Sequence, residues 1–411
     1  MFFLYNILTH ITKYILKVIA LFNPKIKLFV KGRKHVFKTL KNTISTSDKT
    51  IWIHTASLGE FEQGLPIIEK LKLQYPTYKI IVSFFSPSGY EVKKNNPIAD
   101  CIVYLPLDTK KNVTQYLDLA QPDLAIFVKY EFWPNYLNEL KQRNIPTLLV
   151  SGIFRKNQIF FKPFGKGMRK SLHAFSYFFV QNEHSKELLN SISFKNVAVA
   201  GDTRYDRVSE ILERDNSLDF IADFKENKTV IVYGSSWEDD EAIYLDFLNN
   251  STGIKHIIAP HDIKPRKIEK LKKGIQKSVV LYSEKEGKNL ANYDVFIIDT
   301  IGLLTKIYSY ADIGFVGGAF KTGLHNVLEP AVFGIPVIIG PEYNKFQEAV
   351  DLVNQKGVIS INSKNEYETI IQKLITHTDY RKETGNINAS FIKQQSGATN
   401  EIVSYISKTL K

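Results

Sequence analysis

The sequence predicts an α/β protein made of two doubly wound, parallel-sheet domains. Two observations carry that expectation. Short apolar runs alternate with helical stretches in two successive series, and polar or glycine residues gather just after the runs, where one edge of a parallel sheet would lie. At 411 residues the chain is too long for one ordinary core, and two domains of roughly 200 residues are the default.

Residues 1–41 stand before the first series. MFFLYNILTHITKYILKVIALF is the most hydrophobic run, and its polar residues Asn6, Thr9, His10, Lys13 and Lys17 recur at spacings of three and four. On a helix they form one stripe, and the rest of the circumference is apolar. A secretory signal would carry its charges ahead of the apolar stretch. A spanning helix would bury two lysines, whereas a helix lying in a membrane interface keeps both wet. PKIKLFVKGRKHVFKTLK follows, rich in Lys and Arg and without an acid, the flank that an anionic membrane surface attracts. A monotopic or single N-terminal anchor is expected.

The first domain is expected over 48–208. Its strand-like runs are IWIHTAS, IIVSFF, CIVYLPLD, LAIFVKY, TLLVSG, YFFVQN and VAVAGD. Its polar turns fall at Ser57–Glu60, Ser86–Gly89, Glu131, Ser151–Gly152 and Gly201–Arg204. The charged stretch Ser209–Lys228 reads as a linker. The second domain, 229–380, repeats the pattern with TVIVYGSS, HIIAPHDI, SVVLYS, VFIIDT, IGFVGG and PVIIGP. Residues 381–411 read as a C-terminal helical segment, amphipathic and suited to packing on the domains.

Within the second series, Asp299–Tyr343 is the most informative stretch. A helix is expected over Ile301–Tyr310, a buried strand over Ile313–Val316, then the turn Gly317–Gly318, where something must approach the backbone closely. Asn326 is spaced as an N-cap with Glu329 three residues on, the capping-box pattern, and Pro336–Gly340 is the next strand. Diglycine turn and helix start together mark a nucleotide phosphate site; alone, each would read as an ordinary turn or cap.

The net charge of +12 calls for a polyanionic partner. No zinc-finger spacing, ribonucleoprotein signature or arginine-rich arm points to nucleic acid. One cysteine, Cys101, excludes an internal disulfide, and nine histidines without close ligand pairing leave no metal or other cofactor to expect.

HTASLGEFEQGLPIIEKL, SFFSPSGYE, EFWPN, SGIFR, GDTRYD, YGSSWEDDE, APHDIKPR, VGGAFKTGLHNVLEP and PVIIGP together resemble the Kdo (3-deoxy-D-manno-octulosonic acid) transferases of lipopolysaccharide biosynthesis. The motifs run in family order over nearly the whole chain. The resemblance implies a GT-B glycosyltransferase with two Rossmann-like domains facing across a cleft. It implies inverting transfer of Kdo from CMP-Kdo to the glucosamine disaccharide of a lipid A precursor (lipid IVA) at the cytoplasmic face of the inner membrane. Glu60 takes the family's general-base position; an inverting transfer needs a carboxylate to deprotonate the attacking hydroxyl. Glu131 and Arg204 match positions that stabilise the transition state or departing phosphate, and a cation suits developing charge. Trp133 and Pro134 are expected to set the loop. The CMP-binding residues implied are Pro260, His261, Gly317, Gly318, Ala319, Asn326, Val327, Leu328 and Glu329, the last accepting from ribose hydroxyls. Two departures stand out: His261 occupies a position where many members carry arginine, with Arg266 nearby, and Lys129 one where many carry an acid.

Two other classes remain compatible. One is a different GT-B enzyme, such as a UDP-sugar 2-epimerase or a lipid-A-disaccharide-type transferase. The other is a non-catalytic basic protein binding a membrane or nucleic acid, in which Glu60, Glu131 and Arg204 would be replaceable and binding steeply salt-dependent.

Overall fold

The computed structural model describes residues 2–410. They form two compact units: the chain up to Arg207 together with Ser396 onward, and Val208–Gln395. Each unit is built on one seven-stranded sheet.

The first sheet comprises β1 (Lys49–Thr55), β2 (Tyr78–Phe84), β3 (Cys101–Tyr104), β4 (Leu124–Val128), β5 (Thr147–Gly152), β6 (Tyr177–Val180) and β7 (Val197–Val199). Their order is β3-β2-β1-β4-β5-β6-β7, and each recorded pair is parallel. Both faces are covered, which is why the strands read as near-continuous apolar runs. Along β1, Trp52 enters one core and Ile51 and Ile53 the other. The strand order reverses between β1 and β4, and that switch point is where an open α/β sheet leaves a crevice beyond the strand ends.

The second sheet comprises β8 (Thr229–Ser236), β9 (Ile254–Pro260), β10 (Val279–Leu281), β11 (Val295–Ile297), β12 (Ile313–Val316), β13 (Val337–Ile339) and β14 (Val358–Ser360). Their order is β10-β11-β9-β8-β12-β13-β14, again parallel throughout. Its switch point lies between β8 and β12. Strand β14 has no counterpart in the sequence reading, because three residues ending in Ser360 carry too little apolar periodicity to stand out.

Several boundaries differ from the sequence expectation. The basic flank 24–41 folds into α2 (Pro24–Gly32) and α3 (Val36–Thr43), following α1 (Phe2–Ile19). Val36 and Leu40 sit in the core beside Trp52, so apolar spacing under the lysines decides the structure there. The expected linker 209–228 contains the helix Asp219–Lys225, whose Ile221 and Phe224 are fully buried beside Phe296 in the second unit. The helix expected over Ile301–Tyr310 is shorter, Leu304–Ile307 followed by a 3₁₀ turn. The terminal segment divides: the helix Thr378–Gln395 belongs to the second unit and the helix Ala398–Thr409 to the first.

Helix α1 is inverted relative to a soluble amphipathic helix. The start of the helix is turned toward the protein, where Tyr5 donates to Asp108 at 2.6 Å and Asn135 Nδ2 donates to Asn6 Oδ1 at 2.8 Å, while His10, Lys13 and Lys17 of the polar stripe are exposed. Leu4, Leu8, Ile11, Ile15 and Val18 are exposed, and the turn that follows leaves Leu21 77% and Phe22 83% exposed. Among the described residues no helix is long and apolar enough to cross a membrane.

Candidate active site

The first unit places two carboxylates at its switch point. Ser57 ends the turn after β1 and is the N-cap of α4 (Leu58–Gln74). Its hydroxyl does not cap the helix; it donates to the Glu60 carboxylate instead. Glu60 is only 7% exposed. One turn on, Gly64 faces the sheet, where a Cβ would make ordinary contact with Val128 at 3.4 Å.

Glu131 follows β4, the other strand of the switch point. Its Oε2 accepts from Trp133 Nε1 at 2.9 Å and lies 3.3 Å from His54 Nε2. His54 is fully buried in β1, with Nδ1 2.9 Å from Ser83 Oγ, which accepts from Trp52 Nε1 at 2.8 Å. Trp133 packs on Phe85 with ring centroids 4.6 Å apart. It therefore sets the loop, as expected, and also holds a carboxylate oxygen, which was not expected. Between the two glutamates, burial raises the Tyr130 phenol above its ordinary pKa, with the charge of Glu60 and then Glu131 adding to the effect and Arg155 opposing it. One phenol thus senses both acids. Lys129, the departure from the family pattern, takes the left-handed backbone conformation (φ 71°) at the strand end.

Arg204 is fixed by Asp202. The Arg204 amide donates to Asp202 Oδ1 and its Nε to Oδ2, both at 2.9 Å. Asp202 also accepts from Gln63 Nε2 at 3.0 Å, and Thr203 donates to the Gln63 carbonyl. Gln63 lies three residues after Glu60 on α4, so the GDTR loop is tied to the helix that presents the glutamate.

In the second unit the switch-point strands end in Trp237 after β8 and Gly317–Gly318 after β12. Gly318 has φ 94°, and a Cβ there would run into the Gly323 carbonyl. This turn requires glycine. The buried Asp240 carboxylate accepts from Trp237 N at 2.8 Å and Gly318 N at 2.9 Å, and burial pushes its pKa up to about 6. Gly317 N donates to the Gly234 carbonyl at 3.0 Å. Both diglycine amides are therefore engaged within the protein. The amides of Ala319, Asn326 and Val327 carry no hydrogen bond.

The Asn326–Glu329 segment is also built differently from a capping box. Its helix is one turn, Leu328–Ala331, with Val327 as N-cap. Asn326 Oδ1 accepts from Leu328 N at 3.1 Å, and Asn326 Nδ2 donates to Glu329 Oε1 at 3.0 Å. Thr305 donates to Glu329 Oε2 at 2.9 Å. The asparagine orients the glutamate rather than the helix end. So short a helix aligns few peptide dipoles.

An aromatic cluster adjoins this turn. His261, next to Pro260 at the end of β9, stacks on Trp237 at 4.3 Å, and Trp237 Nε1 donates to His325 Nε2 at 3.1 Å. Burial, with His261 adding, lowers the His325 pKa to about 4, so it is neutral at pH 7 and its proton sits on Nδ1. Trp237, Asp240 and His325 lay in motifs quoted from the sequence without a role. Their common position at the ends of β8 and β12 is visible only once the strand order is known. Among the described residues no three His, Cys, Asp or Glu side chains are grouped as metal ligands.

Two Rossmann-like units, each with a polar site at its switch point, make up the GT-B architecture. UDP-GlcNAc 2-epimerase from Neisseria meningitidis has the same fold, with a TM-score of 0.62 at 16% identity over 88% of this chain and all of that one. The model of the 3-deoxy-D-manno-octulosonic-acid transferase (kdotransferase) family matches residues 31–207. The 3-deoxy-D-manno-octulosonic acid transferase of Aquifex aeolicus is 28% identical over 350 residues, 84% of this chain and 90% of that protein. That of Haemophilus influenzae is 26% identical over 379 residues, 88% and 87% of the two chains. Over most of its length the chain is similar to Kdo transferases.

Proposed function

We propose that the protein transfers Kdo from CMP-Kdo to a hydroxyl of the glucosamine disaccharide of a lipid A precursor, with inversion. The observation that carries this reading is the pair of glutamates on the two switch-point strands, both restrained but differently dressed. Glu60 receives one serine hydroxyl and is the group left to take a proton, so it is the general base. Glu131 has one oxygen fixed by Trp133 and His54 and presents the other to the substrate. As the acceptor oxygen attacks the anomeric carbon, the bond from that carbon to the CMP phosphate breaks and negative charge grows on the phosphate. Arg204 supplies the compensating cation. In the second unit Ala319, Asn326 and Val327 offer amides to the phosphate, and Glu329, braced by Asn326 and Thr305, accepts from the ribose hydroxyls. Pro260 and His261 border the nucleotide, with Gly317, Gly318 and Leu328 shaping the backbone that receives it.

The exposed apolar face of α1 supports attachment to an anionic membrane surface, here the cytoplasmic face of the inner membrane, with the helix lying in the interface. The test of the reaction is incubation with CMP-Kdo and a tetra-acylated lipid A precursor followed by mass spectrometry. One or more Kdo mass increments are expected; none, or equal turnover with a UDP-sugar, overturns the reading. Removal of residues 2–22 is expected to abolish flotation with anionic vesicles, and unchanged flotation would sink the anchor.

A further inference from the structure

A groove of about 260 Å³ opens beside α1, between α2, α3 and the segment after β3. Its walls are apolar, from Leu16, Phe29, Val30, Phe37 and Leu107, and its remaining lining includes Lys13, Lys17, Lys34 and Arg33. No acid lines it. Among the described residues neither Lys13 nor Lys34 has a carboxylate partner.

Arg33 is the unusual member. Its guanidinium lies 3.4 Å from the Phe29 ring centroid and 5.0 Å from those of Phe85 and Tyr104. Nε donates to the Leu105 carbonyl at 2.8 Å, and the two terminal nitrogens donate to Phe29 and Phe85 carbonyls at 2.9 and 2.7 Å. Among the described residues no carboxylate pairs with it. Burial lowers its pKa to about 9. Burying a charge without a counter-ion is costly, and three carbonyl dipoles supply only part of the compensation. An anion arriving at the groove would supply the rest.

From these observations we infer that the groove binds an anionic phospholipid of the surrounding bilayer, one acyl chain in the apolar slot and the headgroup phosphate on Lys13, Lys17 and Lys34 above Arg33. The inference rests on the membrane-surface part of the proposal above and adds a discrete site to it. Pockets that enclose a whole drug-sized ligand run to roughly 300–1,000 Å³, so this slot takes part of one chain and leaves the rest of the lipid outside. One wall is α1, whose outer residues are the exposed apolar ones, so a lipid seated here lies next to a membrane against that face. The wall between groove and glutamates argues against the sugar acceptor as occupant. Phe29 meets Phe85 at 5.2 Å, Phe85 meets Trp133 at 4.6 Å, and Trp133 holds Glu131. A groove ligand touches this wall and not the carboxylates.

The experiment uses the full chain and a short-chain lipid, dihexanoyl-phosphatidylglycerol, below its micelle concentration, with binding read by titration calorimetry. Monomeric lipid separates the groove from adsorption to a surface. Saturable one-to-one binding is expected, at least about tenfold tighter than for dihexanoyl-phosphatidylcholine, since each cation near an anionic headgroup contributes. Val30→Trp, which fills the slot, and Lys13→Ala with Lys34→Ala, which leave it open, should each weaken binding about tenfold with unchanged thermal unfolding. Equal affinity for the two lipids, or full affinity in the Val30→Trp protein, overturns the site. Displacement of the bound lipid by the tetra-acylated disaccharide, with a raised acceptor KM in Val30→Trp, overturns the occupant and assigns the groove to the acceptor. The readout is binding without turnover, so its failure leaves the transferase reading intact, and inactivity in the transfer assay leaves this result intact.

Discussion

His54 Nε2 lies 3.3 Å from Glu131 Oε2, deep at the end of adjacent strands β1 and β4. Nδ1 lies 2.9 Å from the Ser83 hydroxyl and 3.2 Å from the Ser83 carbonyl, and the Trp133 indole N–H also points at Nε2 from 3.1 Å. That hydroxyl in turn receives the Trp52 indole. Trp52, Ser83, His54 and Glu131 therefore form one connected polar chain. His54 positions Glu131 without reaching substrate itself. Replacing it with Gln is expected to lower kcat about tenfold to a hundredfold, the size of effect that a slight misplacement of a reacting group produces, with little change in donor KM. The acid limb of the kcat pH profile should also move. Unchanged kcat with intact folding would remove His54 from the site.

Glu60→Gln preserves the shape of the side chain and its contact with Ser57 but cannot take a proton. Turnover is expected to fall about 10²- to 10⁴-fold, while CMP binding by calorimetry and the unfolding temperature stay as in the wild type. A variant that retains turnover would leave Glu60 as a helix-end acid and nothing more.

Gly318→Ala tests the second unit. At φ 94° with the Gly323 carbonyl in the way, a methyl group is expected to cost about 1–3 kcal/mol in backbone strain alone and to move the turn that carries Ala319. Donor affinity should drop more than stability does. Thermal unfolding alongside CMP titration separates the two, and unaltered CMP affinity would detach this turn from donor binding.

The contribution of His256 to the stability of the second unit should fall in mild acid. His256 is fully buried, with Nε2 2.8 Å from Ser251 Oγ and Nδ1 3.2 Å from the Tyr233 hydroxyl. Burial lowers its pKa from 6.5 to about 3. The folded pKa is depressed, so the unfolded chain binds the proton more readily. The contribution is fully present above about pH 6.5 and lost as pH falls toward 3, at up to about 1.4 kcal/mol per unit. Asp240 and Glu241, whose pKa values burial raises to about 6 and about 7, act in the opposite sense. Comparison with His256→Gln cancels them. Urea unfolding midpoints of the two proteins should converge as pH falls from 7.5 to 4.5, and parallel curves would refute the argument.

The sheets were legible in the sequence because a strand buried on both faces is an unbroken apolar run, and the polar turns behind β1, β4 and β12 lie at the switch points. His54 was not legible. One polar residue inside IWIHTAS looks like any interior strand position until β4 brings Glu131 beside it. Asp240 was hidden in the same way within a run of acids, and only the fold singles out the one that accepts from Gly318. The Asn326–Glu329 spacing suggested a helix cap, but the same two side chains bond each other in a four-residue helix. Spacing alone does not separate those outcomes. Residues 209–228 looked like a tether because their charges outnumber the two aromatic and aliphatic side chains, Ile221 and Phe224, that decide the packing.

The helix Ala398–Thr409 places Ile402, Val403 and Ile406 in the same core as Ile68 and Leu71 of α4, and Asp206 accepts from Gly397 N and Thr399 N. On the ribosome, the helix that bears Glu60 is made early yet lacks this packing until roughly three hundred further residues have been synthesised, at about 5–20 per second. The intervening unit has its strands and both cores before the first one is finished. A nascent chain interrupted at residue 395 would therefore hold a complete second unit and an unsealed first one, and proteolysis of stalled chains should cut the earlier-made part first.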